Sequence, residues 1–321
     1  MVPSIEEVVA RAWSRQKNRF TESPKKQKLE PVPVEHAIVA QKVRRDKSWC
    51  MEVQQHGRKE VRASRMKPVA DHLALAASLL ASNVWMLKDA EGRRFLIDTG
   101  LGLERLPFKG DLRRAGIRKP GDLTAILLTH RHCDHAGNAV WLRERLRCPI
   151  VCHRHDARVL AGLRPAPRLA RGVGTFVEEL MCRYEDARAP RLEVDEAISE
   201  GPWRYGFRFL PAFGHTEGSV FIYHEPTRTL FTGDAVLTGA PPFRSKEQLG
   251  LAVPAFSLDV EACHTRALAV LSSPLPVEHL ASGHGPYIGD RVSEKIEAFV
   301  QGIREGTKAA VDNVSNRGVV T

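Results

Sequence analysis

The chain has 321 residues, of which 43% are hydrophobic and 27% are charged, as in a typical globular protein, and its formal net charge is +10. No uninterrupted apolar run reaches the roughly 20 residues that a membrane helix needs, so we expect no membrane partner. The first twenty residues lack the apolar core of a secretory signal and the six cysteines are scattered, so we expect free thiols and a cytoplasmic location.

The N-terminal fifth differs from the rest of the chain. Residues 1–65 hold 15 lysines and arginines against 8 acidic residues. This excess predicts either a solvated basic extension or contact with a nucleic acid or another polyanion. Ile5 to Trp13 has helical spacing, "TESPKKQKLEPVPVE" is typical of a linker, and "CMEVQQHGRKEVRASRM" predicts a hairpin. We therefore divide the chain into a basic extension (1–65), a main domain (66–310) and a C-terminal tail (311–321).

From about Ser82 onward, strand and helix signals alternate. "NVWMLK" and "RFLIDTG" predict two strands joined by the turn "DAEG". "DLTAILLTH" predicts another strand, Ala139 to Leu146 predicts a helix, and "CPIVCH" predicts the next strand. "SVFIYHEPTRTLFTGD" predicts a hairpin that turns at Pro226 and Thr227, and the last third returns to helix, strand and helix. This order indicates an α/β fold.

Residues 157–190 fit this order least well. The stretch "GLRPAPRLARGVG" is rich in proline and glycine, whereas "TFVEELMCRY" is typical of a short helix. Because the segment lies between groups of candidate ligands, it can be either a substrate lid or an ordinary surface insertion.

The stretch "LLTHRHCDHAGN" crowds possible metal ligands into one short loop. They are His130, His132, Asp134 and His135. Imidazole and carboxylate groups bind zinc, iron or manganese. Alternate residues of an extended segment point to the same side, so His130 and His132 can share one metal. Asp134 and His135 follow a bend and can reach a second metal.

Three further candidates follow strand-like segments in short glycine-bearing turns. They are His215 in "PAFGHTEGS", Asp234 in "LFTGDAV" and His284 in "HLASGHGP". The ends of strands in open α/β sheets are where such folds gather their sites. A second HxH, formed by His153 and His155, is expected to lie at a strand-to-helix junction with Asp156 near the helix start, and not to bind a metal.

Together these segments resemble the metallo-β-lactamase superfamily over about residues 82–290. The matching motifs, in order, are "LIDTG", "THRHCDHAG", "GHTEGS", "TGD" and "SGHG". The resemblance implies an αββα sandwich, in which two β-sheets pack face to face with helices outside and metals at one edge. In this chain the sandwich would carry a basic N-terminal extension.

The resemblance also implies a role for each candidate. Three histidines would hold one metal, two histidines and a carboxylate would hold the other, and one aspartate would bridge the two metals. In that order the residues are His130, His132 and His215; Asp134, His135 and His284; and Asp234. Asp98 would orient a ligand through a hydrogen bond. The implied cofactors are two divalent ions, with zinc preferred and manganese or iron as alternatives.

The implied function is a dinuclear metal-dependent hydrolase. A hydroxide that bridges the metals would attack a small ester, lactone or thioester, and Asp134 would accept a proton. True β-lactamases usually carry cysteine or serine in place of Asp234, which disfavours antibiotic hydrolysis. Flavodiiron members carry glutamate in place of His132. Hydroxyacylglutathione hydrolases add a helical C-terminal domain, whereas 37 residues follow His284 here, which disfavours glutathione thioesters.

Three alternatives stay open. A nuclease or phosphodiesterase of the same fold would suit the basic N-terminus, although no nucleic-acid-binding motif supports it. A sulfur dioxygenase would hold one iron with a similar ligand set. A non-catalytic binding protein would be expected to have lost some ligands. We expect a small-molecule substrate, and the sequence leaves the oligomeric state open.

Overall fold

The computed structural model of the protein describes residues 66–76, 79–169, 176–239 and 247–315. The helix, linker and hairpin predicted within residues 1–65 lie outside this part of the chain. In the described residues the strands are β1 (Met66–Ala70), β2 (Leu73–Ala76), β3 (Trp85–Lys88), β4 (Arg94–Ile97), β5 (Ala125–Leu127), β6 (Ile150–His153), β7 (Glu196–Ile198), β8 (Gly201–Pro202), β9 (Phe207–Pro211), β10 (Val220–His224), β11 (Thr229–Gly233), β12 (Val236–Leu237), β13 (Gly250–Leu251) and β14 (His279–Ser282).

Helices connect and cover these strands. Over the same described residues the α-helices are α1 (Arg105–Arg114), α2 (Cys133–Ala136), α3 (Ala139–Leu146), α4 (Arg154–Leu160), α5 (Phe176–Arg188), α6 (Val260–Leu271) and α7 (Val292–Ser315). Short 3₁₀ helices are η1 (Gly102–Glu104), η2 (Arg204–Gly206) and η3 (Pro254–Phe256). The α7 helix runs past residue 310, where the sequence predicts the end of the main domain, and that division of the chain stays a prediction.

Two sheets form the centre of the described part of the chain. In the first, β1 to β7 lie in chain order, with antiparallel pairing from β1 to β4 and parallel pairing from β4 to β7. The second has the order β14-β11-β10-β9-β8, and within it β11 and β14 run parallel. Strands β12 and β13 form a separate pair.

The strand pattern explains how the layers pack. In β4, Phe95 and Ile97 face the second sheet and Leu96 faces the opposite layer, because side chains alternate along a strand. All three side chains are buried, so the strand is apolar on both faces. Phe209 and Phe231 of the second sheet join the same central cluster. Burying each such side chain contributes about 1.5–3 kcal/mol.

The helices cover the outer faces of both sheets. Phe108 of α1 and Leu142 of α3 pack on the first sheet, whereas Leu268 of α6 and Ile296 of α7 pack on the second. This arrangement is an αββα sandwich, which confirms the predicted fold class. The predicted helix at residues 139–146 and the predicted hairpin around Pro226 are also present.

Two parallel strand pairs, one in each sheet, end at the edge where the loops with the candidate ligands begin. Strands β4 and β5 end together in the first sheet, and β11 and β14 end together in the second. The indole Nε1 of Trp85 donates a hydrogen bond to Ser282 O at 3.0 Å and so links the sheets near this edge. None of the helices in the described part of the chain combines the length and the apolar composition of a membrane-spanning segment.

Candidate metal centre

The seven predicted ligands converge at the shared edge of the two sheets. Their nitrogen and oxygen atoms form three overlapping groups, and within each group the atoms lie no more than 4.8 Å apart. The groups are His130, His132 and His215; His130, His135 and Asp234; and Asp134, His135 and His284. The first and third groups are the two sets that the resemblance implies. The middle group places Asp234 between them.

The loop that follows β5 bends where the sequence predicts. His132 has φ −58° and ψ 152° and directly precedes α2, which begins at Cys133. The imidazole rings of His130 and His132 have centroids 4.8 Å apart and lie nearly perpendicular, at 85°. Asp134 and His135 belong to α2 and therefore point to a different part of the edge. One short segment thus supplies ligands to both groups.

Asp98 orients two histidines of the loop, His135 directly and His130 through Thr129. Its Oδ2 atom accepts hydrogen bonds from Thr129 Oγ1 and from His135 Nδ1, each at 2.8 Å. Because the Thr129 hydroxyl donates its proton to Asp98, it accepts at 3.0 Å from His130 Nδ1. Both imidazoles therefore carry their protons on Nδ1 and turn Nε2 towards the cluster, as the predicted orienting role of Asp98 requires.

Ser257 orients the ring of His215 through a hydrogen bond to its Nδ1 atom. Ser257 Oγ donates to Val253 O at 2.9 Å and lies 3.2 Å from His215 Nδ1. With its proton already donated, the hydroxyl accepts from Nδ1, and Nε2 of His215 is left facing the cluster. Ser257 follows η3, a segment in which the sequence shows no site motif.

Several buried polar atoms at the centre lack hydrogen-bond partners among the described residues. They are Nε2 of His130, His132, His135 and His215, and Oδ1 of Asp234, of which His135 Nε2 and Asp234 Oδ1 lie 3.2 Å apart without forming a hydrogen bond. Buried polar atoms are normally paired, and a cluster of unpaired ones indicates an absent partner such as an ion. The atoms are also of the right kind, since neutral imidazole nitrogen and carboxylate oxygen bind divalent metals. The residues therefore fit a metal centre.

Asp234 contacts histidines of both outer groups. Its Oδ1 lies 3.2 Å from His135 Nε2, and its Oδ2 lies 3.2 Å from His284 Nε2 and 3.6 Å from His215 Nε2. Gly283 makes this approach possible, because a Cβ atom at that position would lie 2.7 Å from His135 Cε1 and would also strike Asp234. Asp234 therefore lies between the two outer groups, and its bridging role stays a prediction.

The first group of histidines is electrically neutral. Burial lowers the pKa of His130 and His132 well below the usual value, and neighbouring histidines lower it further. Burial also lowers the pKa of His215 to about 4. All three imidazoles are therefore uncharged at neutral pH, which is the form that coordinates a metal.

The group of Asp134, His135 and His284 lies in a region of negative charge. Burial alone would lower the pKa of His135, but Asp234, Asp134 and Asp98 raise it well above the usual value. Burial likewise opposes the rise in the pKa of His284, which Asp234 brings to about 9. The carboxylates thus create a site that attracts positive charge, whether a proton or a cation.

The second HxH lies at the strand-to-helix junction that the sequence predicts. His153 ends β6, and its Nδ1 accepts from the backbone N–H of His155 at 3.4 Å at the start of α4. Within the described residues, neither histidine belongs to a group of three possible metal ligands. Asp156 lies in the first turn of α4, also as expected.

The sequence does not predict what Asp156 contacts. This buried carboxylate accepts from Arg131 N at 2.9 Å, from Thr216 Oγ1 at 2.6 Å and from Gly218 N at 3.0 Å. It thereby joins the loop of His130 and His132 to the loop of His215. Arg131, between the two histidines, is also buried, and its Nε lies 3.6 Å from Asp156 Oδ1.

A second carboxylate that the sequence does not predict at the site comes from α5. This helix lies within residues 157–190, which the sequence predicts to be either a substrate lid or a surface insertion. Glu185 is buried, and its Oε2 accepts from the backbone N–H of Cys133 at 2.8 Å. Cys133, Asp134 and Glu185 form a further group of possible ligands. Contacts this distant along the chain leave no local sequence signal.

Comparison with known proteins agrees with the geometry. The model of the metallo-beta-lactamase superfamily matches residues 77–284. The chain is 32% identical over 178 residues to the probable metallo-hydrolase YybB of Bacillus subtilis (strain 168), covering 56% of this chain and 70% of that protein. It is 27% identical over 183 residues to the acyl-coenzyme A thioesterase MBLAC2 of Gallus gallus, covering 50% of this chain but only 59% of the thioesterase.

A solved structure is similar in fold. A metallo-beta-lactamase family protein from Thermus thermophilus superposes with a TM-score of 0.51 at 22% identity, covering 73% of this chain and 80% of that one. With a family model that spans most of the sandwich, and with the ligand groups at its edge, the chain belongs to the metallo-beta-lactamase superfamily and is a metallo-hydrolase.

Proposed function

We propose that the protein is a dinuclear metal-dependent hydrolase that acts on a small ester, lactone or thioester. One observation carries the proposal: nitrogen and oxygen atoms of the seven residues lie in linked groups with no more than 4.8 Å between atoms of a group, and four of the histidine nitrogens and one oxygen of Asp234 are buried without a hydrogen bond. His130, His132 and His215 would hold one cation, and Asp134, His135 and His284 would hold the other, with Asp234 between them. Zinc suits this set of nitrogen and oxygen donors, and manganese or iron are the alternatives.

The chemistry that two bound divalent cations supply is polarisation of a carbonyl group and acidification of a bound water. The chain provides a rigid frame for that chemistry. Asp98 and Ser257 fix the rings of His135 and His215 through their Nδ1 atoms. Rings held in this way need no rearrangement during turnover, which is how preorganised sites lower a barrier.

Asp134 is the carboxylate through which protons would leave the site. Its side chain is 25% exposed, whereas that of Asp234 is 13% exposed. Its Oδ2 lies 3.4 Å from His284 Nε2 and 3.5 Å from His135 Nε2. A proton released in hydrolysis can therefore pass to Asp134 Oδ2 and on to solvent, so that Asp134 is both a ligand and the proposed proton acceptor.

Apolar surface beside the site favours an acyl substrate. Three leucines there are exposed by 70–80%: Leu80, Leu103 and Leu106. They are neighbours, because Glu104 Oε1 accepts from the backbone N–H of Leu80 at 2.6 Å. Leu80 lies two residues before Ser82, whose hydroxyl donates to Asp134 O. Exposed apolar patches commonly mark binding surfaces, and this patch suits an acyl chain better than a sugar-phosphate backbone. The acyl-CoA thioesterase relative is consistent with that choice.

Metal removal and reloading would test the proposed function. The protein would be dialysed against a chelator, reloaded with zinc, manganese or iron(II), and assayed on acyl thioesters, aryl esters, lactones and a phosphodiester. We expect carboxylic ester or thioester hydrolysis that disappears with the metal and returns with two equivalents of it.

Two results would contradict the proposal. Phosphodiester turnover without ester turnover, together with salt-sensitive binding of polynucleotides, would favour the nuclease alternative. Oxygen uptake with one iron per chain would favour the sulfur dioxygenase alternative. In both cases the same residues would still bind metal. The assay therefore tests which reaction the protein catalyses, independently of which residues bind the metal.

A further inference from the structure

Helix α5 contacts the two halves of the candidate metal centre through two buried side chains. Glu185 accepts from the backbone N–H of Cys133 at 2.8 Å, beside the ligands of the first sheet. Cys182 donates through Sγ to Ala255 O at 3.2 Å, in η3, on the side of the second sheet. One helix thus spans the site, although the sequence around it predicts only a lid or an insertion.

On the first side, Glu185 fixes the backbone that carries Asp134. Cys133 is the first residue of α2, so its N–H has no partner within that helix, and it is buried. Glu185 supplies the acceptor that this N–H needs. On the following residue, Ser82 donates through its hydroxyl to Asp134 O. Side chains from other segments therefore hold the pair Cys133 and Asp134 at the N–H of the first residue and at the carbonyl of the second.

On the second side, the same helix supports the segment that orients His215. Cys182 packs in one buried cluster with Leu169 and Ala255. Ser257, two residues after Ala255, lies 3.2 Å from His215 Nδ1. From Cys182, the chain of contacts reaches His215 through Ala255, Phe256 and Ser257. From Glu185, it reaches Asp134 through Cys133, the residue before it. Of the two, the Glu185 contact is the shorter route to a ligand.

We propose that Glu185 is a positioning residue, which fixes Asp134 for the cation group that Asp134 forms with His135 and His284. On this view α5 holds the backbone of the metal centre in a fixed position and is not a mobile lid. The inference rests on the proposed metal site and does not depend on the substrate. It predicts a larger effect on the group of Asp134 than on the group of His130, His132 and His215, because Glu185 accepts from the first N–H of α2, which carries Asp134 and His135, whereas Thr129 and Ser257 hold the rings of His130 and His215.

Three variants at this position separate the hydrogen bond from the charge. Glu185→Ala removes the acceptor, Glu185→Asp shortens its reach by one methylene, and Glu185→Gln keeps an oxygen at the same distance without the charge. Asp186→Asn, at the next and exposed residue of α5, is the matched control. Circular dichroism of the metal-free proteins would establish that each variant folds.

The measurement is a titration of each metal-free protein with cobalt(II), followed by visible absorption, with elemental mass spectrometry of the zinc-loaded form. We expect two equivalents in the wild type and in Asp186→Asn. In Glu185→Ala and Glu185→Asp, we expect the first equivalent to bind normally and the second to bind about 10–100-fold more weakly, with an altered spectrum. Glu185→Gln should stay close to the wild type, because its amide oxygen still accepts from Cys133.

Several outcomes would overturn the inference. Unchanged affinity for the second equivalent in Glu185→Ala would remove the positioning role, and Glu185→Asp serves the same purpose if the alanine variant does not fold. Equal weakening of both equivalents would mean a general structural effect. A third equivalent in the wild type that vanishes in Glu185→Gln would make Glu185 a ligand, together with Cys133 and Asp134, rather than a positioning residue.

Discussion

Replacing Asp234 by asparagine is expected to lower kcat/KM for ester or thioester hydrolysis by at least about a thousandfold. Both carboxylate oxygens of Asp234 face histidines of the site, at 3.2 Å from His135 and His284 and 3.6 Å from His215. An amide of the same shape would present one acceptor and one donor and would carry no charge. Two neighbouring cations would then lose the negative group between them.

The size of this effect follows from the role of the charge. Metal-ion catalysis supplies several kcal/mol of transition-state stabilisation, and each 1.36 kcal/mol is a factor of about ten in rate. Losing about 4 kcal/mol therefore gives the thousandfold decrease. Steady-state kinetics beside metal analysis would measure it. Asp290→Asn is the control, because Asp290 is an exposed carboxylate paired with Lys295. A decrease below about tenfold in Asp234→Asn would contradict the bridging role.

Asp156→Ala is expected to lower the free energy of unfolding by about 3–5 kcal/mol, although Asp156 is not a ligand in this account. The substitution removes the acceptor of three hydrogen bonds, from Arg131 N, Thr216 Oγ1 and Gly218 N. It also leaves the buried Arg131 guanidinium without the carboxylate that lies 3.6 Å from its Nε. An unpaired buried charge is the dominant cost.

Urea unfolding of the metal-free protein would measure this effect, because bound metal would add its own stabilisation. Burial raises the pKa of Asp156, while Arg131 and the hydrogen bonds oppose that rise. Asp156→Asn should therefore be milder than the alanine variant, since one oxygen can still accept. Glu144→Gln, at an exposed residue of α3, should change stability by less than about 0.5 kcal/mol. A similarly small change for Asp156→Ala would refute the role given to this residue.

The fold and the ligand set could be predicted because both leave local patterns. The strand β5 is a continuous apolar run that ends at the loop of His130 and His132, and alternate spacing puts those two imidazoles together. His215, Asp234 and His284 could be selected because each follows a strand in a glycine-bearing turn. The resemblance then arranged the seven residues into sets, and the structure brings the same residues together.

The supporting residues could not be predicted, because packing alone brings them to the site. Glu185 meets Cys133 across 52 positions of sequence, and Asp156 meets Thr216 across 60. Each is a single carboxylate in a helix, where acidic residues are usually solvated. Their burial becomes evident only after α4 and α5 have docked. Likewise, Ser257 has no motif, yet it orients the ring of His215.

The metal content of the purified protein, measured by elemental mass spectrometry beside Asp134→Ala, is the most direct test of the central claim. Asp134 belongs to one ligand group and not to the group of His130, His132 and His215. We predict about two divalent ions per chain in the zinc-loaded wild type and about one in the variant. No bound metal in the wild type after reconstitution, or one tightly held iron that the variant retains, would contradict the dinuclear hydrolase.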